Sequence, residues 1–81
     1  MLNANQIRAA RALINWSQGK LVEMTELSLT TIRRMEDDAI GPERSSAGNV
    51  ATVTRVLEEA GVTFIGDGEA KVGGPGVRMG K

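Results

Sequence analysis

Apolar positions recur at helical spacing three times in the first 36 residues, and a polar capping residue precedes each run. Asn3 stands three residues before Gln6, the spacing of a capping box, and Leu2 and Ile7 flank the cap as a hydrophobic staple. Ile7, Ala10 and Ile14, with Ala9 and Leu13 beside them, form one stripe, which predicts a first helix with Arg8 and Arg11 pointing away from it. Ser17 caps a short second helix over about 18–24, with Trp16 and Leu21 as staple and Leu21 and Met24 as the apolar face. Ser28 caps a third helix over about 29–37. Leu27 and Ile32 are its staple, Ile32 and Met35 point inward, and Thr30, Thr31, Arg33 and Arg34 are left for solvent or a partner. Three cap-and-staple signatures this close together predict three short helices packed at sharp angles.

The pattern then changes. A loop is expected from Asp38 to Ser45, around Gly41-Pro42. A fourth helix follows over about Ala47 to Ala60, with Val50, Val53, Val56, Leu57 and Ala60 inward, although Gly48 weakens its first turn. Gly61 ends it, with Val62 as the apolar residue after the cap. Val62-Thr63-Phe64-Ile65 has strand character, Gly66-Asp67-Gly68 has turn character, and Val77-Arg78-Met79 is the candidate second strand. The expected fold is mostly α: four helices over residues 1–61, then a β-hairpin or strand arm over 62–81. A lone hairpin is marginal in water, so it must pack on helix four or pair with another subunit.

Composition narrows the chemistry. Eighty-one residues make one domain with a modest core, and a single Trp and a single Phe make that core aliphatic. The absence of Cys and His removes disulfides, thiolate metal sites, the usual general base and the commonest zinc ligand. No catalytic group, metal ligand set or cofactor site is expected, and the chain does not read as an enzyme. No apolar run approaches the ~18 residues of a membrane span. The segment Met1 to Gln6 lacks the basic and apolar regions of a signal peptide, so a soluble, cytoplasmic protein is expected.

Formal net charge is zero, which argues against nucleic-acid binding until its distribution is considered. Residues 1–35 hold five cations (Arg8, Arg11, Lys20, Arg33, Arg34) against two anions (Glu23, Glu26), a net of +3. Residues 36–81 hold five cations against eight anions, a net of −3. A basic half precedes an acidic one.

Trp16 to Glu36 is the informative stretch: two short helices, a three- or four-residue turn and a shared buried face, which is the helix-turn-helix arrangement. Its order, Trp16-Ser17-Gln18, Leu21-Val22-Glu23, Leu27-Ser28 and Thr31-Ile32-Arg33-Arg34-Met35-Glu36, resembles the lambda-repressor-like family of transcriptional regulators, also called Cro-type or xenobiotic-response-element regulators. Ile7 to Leu13, Leu57 to Ile65 and Gly73 to Arg78 resemble stretches of a compact subgroup of short bacterial members, so the resemblance spans nearly the whole chain.

The resemblance implies a sequence-specific regulator acting as a homodimer on double-stranded DNA, with the third helix in the major groove. It places Leu29, Thr30, Arg33 and Arg34 toward base edges. Gln18, Ser28, Arg44, Ser45, Ser46 and Asn49 fall toward the DNA backbone. Arginine suits guanine O6 and N7, and threonine suits bases or the thymine methyl. Phe64, Ile65, Val77 and Met79 are candidate dimer contacts, because strand edges pair readily between chains. Two positions depart from the family pattern. Glu26 stands where glycine is usual in the turn, and a left-handed backbone there costs about 1 kcal/mol or more. Leu29 stands where a polar reader is common. With the zero net charge, these departures support an alternative: a protein-binding helix-turn-helix module, such as an antitoxin or an antagonist of another regulator. Glu36-Asp37-Asp38 is expected to be a solvated acidic helix end rather than a metal site, and Gly73-Gly74-Pro75-Gly76 a connector rather than a phosphate cradle.

Overall fold

The computed structural model describes residues 2–66 and 76–80. Among them are four α-helices: α1 (Ala4–Leu13), α2 (Gln18–Thr25), α3 (Leu29–Met35) and α4 (Ala47–Glu59). A 3₁₀ turn, Pro42–Arg44, precedes α4, and the strands β1 (Val62–Ile65) and β2 (Gly76–Met79) follow it. The chain is mostly α with a small antiparallel sheet. The turn expected at Gly66-Asp67-Gly68 and the connector at Gly73-Gly74-Pro75 fall mainly in 67–75, outside the described residues.

The helix starts follow from capping chemistry. Asn3 Oδ1 accepts the Gln6 N–H at 2.8 Å, and Gln6 Oε1 accepts the Asn3 N–H at 2.9 Å, which closes the capping box. Ser17, Ser28 and Ser46 each accept the N–H three residues on, from Lys20, Thr31 and Asn49. The Ser46 cap starts α4 at Ala47 despite Gly48.

Helix ends need backbone that reverses direction. Asn15 adopts φ 58° beyond α1, and the Trp16 and Asn15 N–H groups return to the carbonyls of Arg11 and Ala12 in a Schellman arrangement. Glu26 takes the left-handed conformation, φ 60° and ψ 19°, between α2 and α3. Gly61 ends α4 at φ 107°. α3 stops at Met35, two residues before the expected end. Asp37 Oδ1 accepts the Ala39 N–H at 2.8 Å and its carbonyl accepts the Gly41 N–H at 2.7 Å, which turns the chain away.

All four helices and β1 contribute to one core: Ile7 and Ala10 of α1, Leu21 of α2, Ile32 and Met35 of α3, Val53, Val56 and Leu57 of α4, and Val62 of β1. Three sequence expectations need correction here. Met24 is 46% exposed, because the inward row of α2 is Leu21 and Thr25, with the Thr25 hydroxyl donating to the Leu21 carbonyl at 2.7 Å. Leu13 is 44% exposed and Ala9 is exposed, because the buried row of α1 is narrower than its apolar stripe. The hydroxyl of Thr25 is tolerated inside because it is hydrogen-bonded.

β1 and β2 pair within the chain, Val62 with Met79 through Ile65 with Gly76. Phe64 and Val77, opposite one another, pack partly buried on the same core. Buried Gln6 fastens the end of the sheet where β1 leaves and β2 enters: its Nε2 donates to the Ile65 carbonyl at 2.9 Å and the Gly76 carbonyl at 3.0 Å. One side chain thus caps α1 and ties the hairpin to it.

Candidate nucleic-acid interface

α3 is anchored by Ile32 and Met35, both buried, and this sets which of its residues face out. Leu29, Thr30, Arg33 and Arg34 are all exposed, and Leu29 is 39% exposed despite being apolar. Among the described residues, neither Arg33 nor Arg34 forms an ion pair. The turn between α2 and α3 holds Ser28, whose Oγ accepts the Thr31 N–H at 3.1 Å and donates to Thr31 Oγ1 at 2.8 Å. Its hydroxyl is engaged within α3.

Beside α3 lies an open cleft of about 310 Å³. α3 contributes Thr30, Thr31 and Arg34, and the segment leading into α4 contributes Arg44, Ser45, Ser46 and Asn49. Met35, Ile40 and Gly41 complete it. Gly41 is buried at φ 71° and ψ 171°, a conformation that essentially only glycine adopts, and it delivers the chain to Pro42 and then Arg44. Among the described residues, no acidic side chain lines the cleft. Ser46 Oγ is committed to the Asn49 N–H, and the Asn49 amide nitrogen leans on Ser45 Oγ at 3.4 Å. Two groups expected at distant sequence positions, Thr30 with Arg34 and Arg44 through Asn49, therefore share one concave surface.

Gln18 lies outside the cleft. Its Nε2 donates to Glu36 Oε1 at 3.1 Å and so braces the end of α3. Glu36 is the centre of a network that the sequence reading missed. Its carboxylate is 2% exposed and takes a bidentate pair from Arg11, Nε to Oε2 and a terminal nitrogen to Oε1, both at 2.8 Å. Arg11 also donates to the Trp16 carbonyl at 3.0 Å, and Arg8 donates to the Glu36 carbonyl and pairs with Asp38. The Glu36 hydrogen bond raises the Arg11 pKa above the ordinary arginine value, against the lowering effect of burial, with the Glu36 charge adding to the rise. Burial of this pair corrects the expectation of a solvated acidic end. Glu36 lies four residues past Ile32, and Arg11 four past Ile7, so both sit on inward rows of their helices. The three carboxylates diverge: Glu36 to Arg11, Asp38 to Arg8, and Asp37 to the Ala39 backbone.

The network changes the meaning of the basic N-terminal half. Arg8 and Arg11 are spent internally, and Lys20 lies 3.9 Å from Glu23 and 5.9 Å from the Trp16 ring centre. Among the described residues, the outward positive charge near α3 is therefore Arg33, Arg34 and Arg44. Of the expected dimer contacts, Phe64 and Val77 are partly buried on the chain's own core, Ile65 is half-buried and Met79 is 47% exposed. No helix among the described residues is long and apolar enough to cross a membrane. No known family model matches the chain, and no curated protein or solved structure is significantly similar to it.

Proposed function

We propose that this protein is a sequence-specific DNA-binding regulator of transcription, with α3 as the element that enters the major groove. One observation carries the reading: α3 turns Thr30, Arg33 and Arg34 outward with no acidic partner among the described residues, beside a cleft lined by Arg44 and hydroxyl groups. Outward arginines next to polar donors suit a duplex, whose ridges are phosphate acceptors and whose major groove displays guanine acceptors. Glu36, tied to α1 and α2, holds α3 at a fixed angle to the rest of the molecule. The resemblance to lambda-repressor-like regulators supports the same reading and adds a homodimer in the cytoplasm, binding half-sites about one helical turn apart.

Selection from a pool of random duplexes, followed by sequencing, tests this. A recurrent motif is expected, with twofold symmetry if the protein binds as a dimer. Recovery of sequences indistinguishable from the starting pool would defeat the proposal. Exposed Leu29 favours a second reading, a module that docks on another protein through the same helix. Salt separates the two: DNA affinity held by phosphate contacts falls steeply between 50 and 200 mM salt, whereas apolar docking does not.

A further inference from the structure

Arg33 and Arg34 are neighbours in sequence and both are exposed, but the fold gives them different surroundings. Arg34 lines the cleft and Arg33 does not. Both occupy the last turn of a seven-residue helix. In this mode of recognition the N-terminal residues of the reading helix meet base edges, which favours Leu29 and Thr30 for that contact. Arg34 instead faces the segment that carries Arg44 and Ser45.

The cleft also has a chemical character. Among the described residues its charged groups are two arginines, and no described hydrogen bond occupies either guanidinium. Thr31 Oγ1 accepts from Ser28 and Ser45 Oγ accepts from Asn49, which leaves each hydroxyl hydrogen free to donate outward. The arrangement is donor-rich and, among the described residues, contains no carboxylate. Such a set matches an acceptor-only ligand. A phosphodiester is one, whereas base edges alternate donors and acceptors.

We infer that Arg34 clamps a backbone phosphate of duplex DNA together with Arg44, Thr31 and Ser45, and that it does not read bases. The inference rests on the DNA-binding reading above and departs from the base-reading role expected for Arg34 from its sequence position. Base discrimination then falls to Arg33, Thr30 and Leu29. The two adjacent arginines share the last turn of α3 but only Arg34 faces the cleft, and that difference gives them two jobs.

The test compares the wild-type chain with Arg34→Ala, Arg34→Lys and Arg33→Ala on two duplexes of equal length: one obtained by the random-pool selection and one with its sequence scrambled. Fluorescence anisotropy from 50 to 200 mM salt gives affinities and salt slopes. Arg34→Ala is expected to weaken both duplexes by the same factor. It should also flatten the slope of log K against log salt by about 0.9 per bound protomer, so its loss shrinks about 3.5-fold per protomer across that range. Arg34→Lys should recover most of the affinity and the slope, since a point charge still serves a phosphate. Methylphosphonate placed at single linkages should identify one position per half-site where neutralisation weakens the wild type and leaves Arg34→Ala unchanged. Arg33→Ala should instead erode the ratio between the two duplexes. An Arg34→Ala loss confined to the selected duplex, with the slope intact, overturns the clamp and leaves the DNA-binding proposal standing. A wild-type chain that binds neither duplex removes both, and loss of DNA binding accompanied by capture of an acidic peptide at the cleft assigns it to a protein partner.

Discussion

Glu36 shows how one residue can organise a site it does not belong to. Its buried carboxylate accepts from Arg11 twice and from Gln18 once, so α1, α2 and the end of α3 meet at a single group. A buried ion pair is poor evidence of net stability, because desolvation offsets most of the attraction. Removing one partner is costly, though, since the other charge is stranded. Glu36→Ala should therefore lose about 3–5 kcal/mol, a large share of the stability of a domain of this size. Denaturant unfolding followed by the fluorescence of Trp16, the single tryptophan, measures this directly. Arg11→Met combined with Glu36→Met should be less destabilised than the sum of the two single changes, because neither charge is left alone. Additive losses would mean the pair contributes no coupling. Glu26 makes the opposite case: at φ 60° its side chain opposes the conformation it occupies. Glu26→Gly should raise stability by up to about 1 kcal/mol, the relief of the left-handed backbone less the extra freedom glycine brings to the unfolded chain. An unchanged or lower denaturation midpoint would show that the turn carries no strain.

At the scale of elements, what the sequence discloses depends on how local the cause is. Except for the Ser46 cap of α4, which emerges only in the structure, the serine and asparagine caps are read from positions one to four residues apart, and each of Asn3, Ser17 and Ser28 does start its helix. The end of α4 at Gly61 is legible for the same reason. Long-range causes are not. Gln6 reads as a cap from its spacing to Asn3, but its bonds to the Ile65 and Gly76 carbonyls join residues 59 and 70 positions away. Met24 outranks Thr25 on hydrophobicity, and only the Leu21 carbonyl, ready to accept its hydroxyl, puts the threonine inside. The site divides in the same way. The outward residues of α3 follow from the inward ones, while the cleft joining Arg34 to Arg44 depends on a turn through Gly41 that no periodicity reports. Two glycines, one inside α4 and one just past its end, give a paired prediction. Gly61→Ala should lose about 1–3 kcal/mol, because φ 107° is closed to an L side chain. Gly48→Ala, in the exposed first turn with only Ser46 Oγ at 4.0 Å from the new Cβ, should gain up to about 1 kcal/mol. Urea midpoints of opposite sign with equal m-values are the expected result, and a loss at both positions contradicts it.

For the whole molecule, zero net charge means that any attraction to DNA arises from where the cations stand rather than how many there are. Folding pairs Arg8 with Asp38 and Arg11 with Glu36, which withdraws two of the five cations in residues 1–35 from external use. The outward arginines at the proposed interface are few, and their number sets a measurable quantity. If Arg34 and Arg44 each hold a phosphate and Arg33 holds a base, a bound dimer neutralises roughly four phosphates, and log K should fall against log salt with a slope of about −3.6. A monomer would give about half that value. The hairpin bears on the choice. In the ladder, Gly80 donates to the Gly61 carbonyl, and strict alternation then turns the N–H and C=O groups of Val77 and Met79 outward along β2. Those groups and the exposed Met79 side chain form an edge on which a second copy can pair. Met79→Lys places a charge on that edge and leaves the cleft untouched. If the proposed dimer pairs along that edge, this change should lower the solution mass toward one chain and halve the salt slope together, with both read on the same preparation by sedimentation equilibrium and anisotropy. A variant that dissociates yet keeps a slope near −3.6 would show that the phosphates are held by a single chain, which the two-arginine cleft cannot supply.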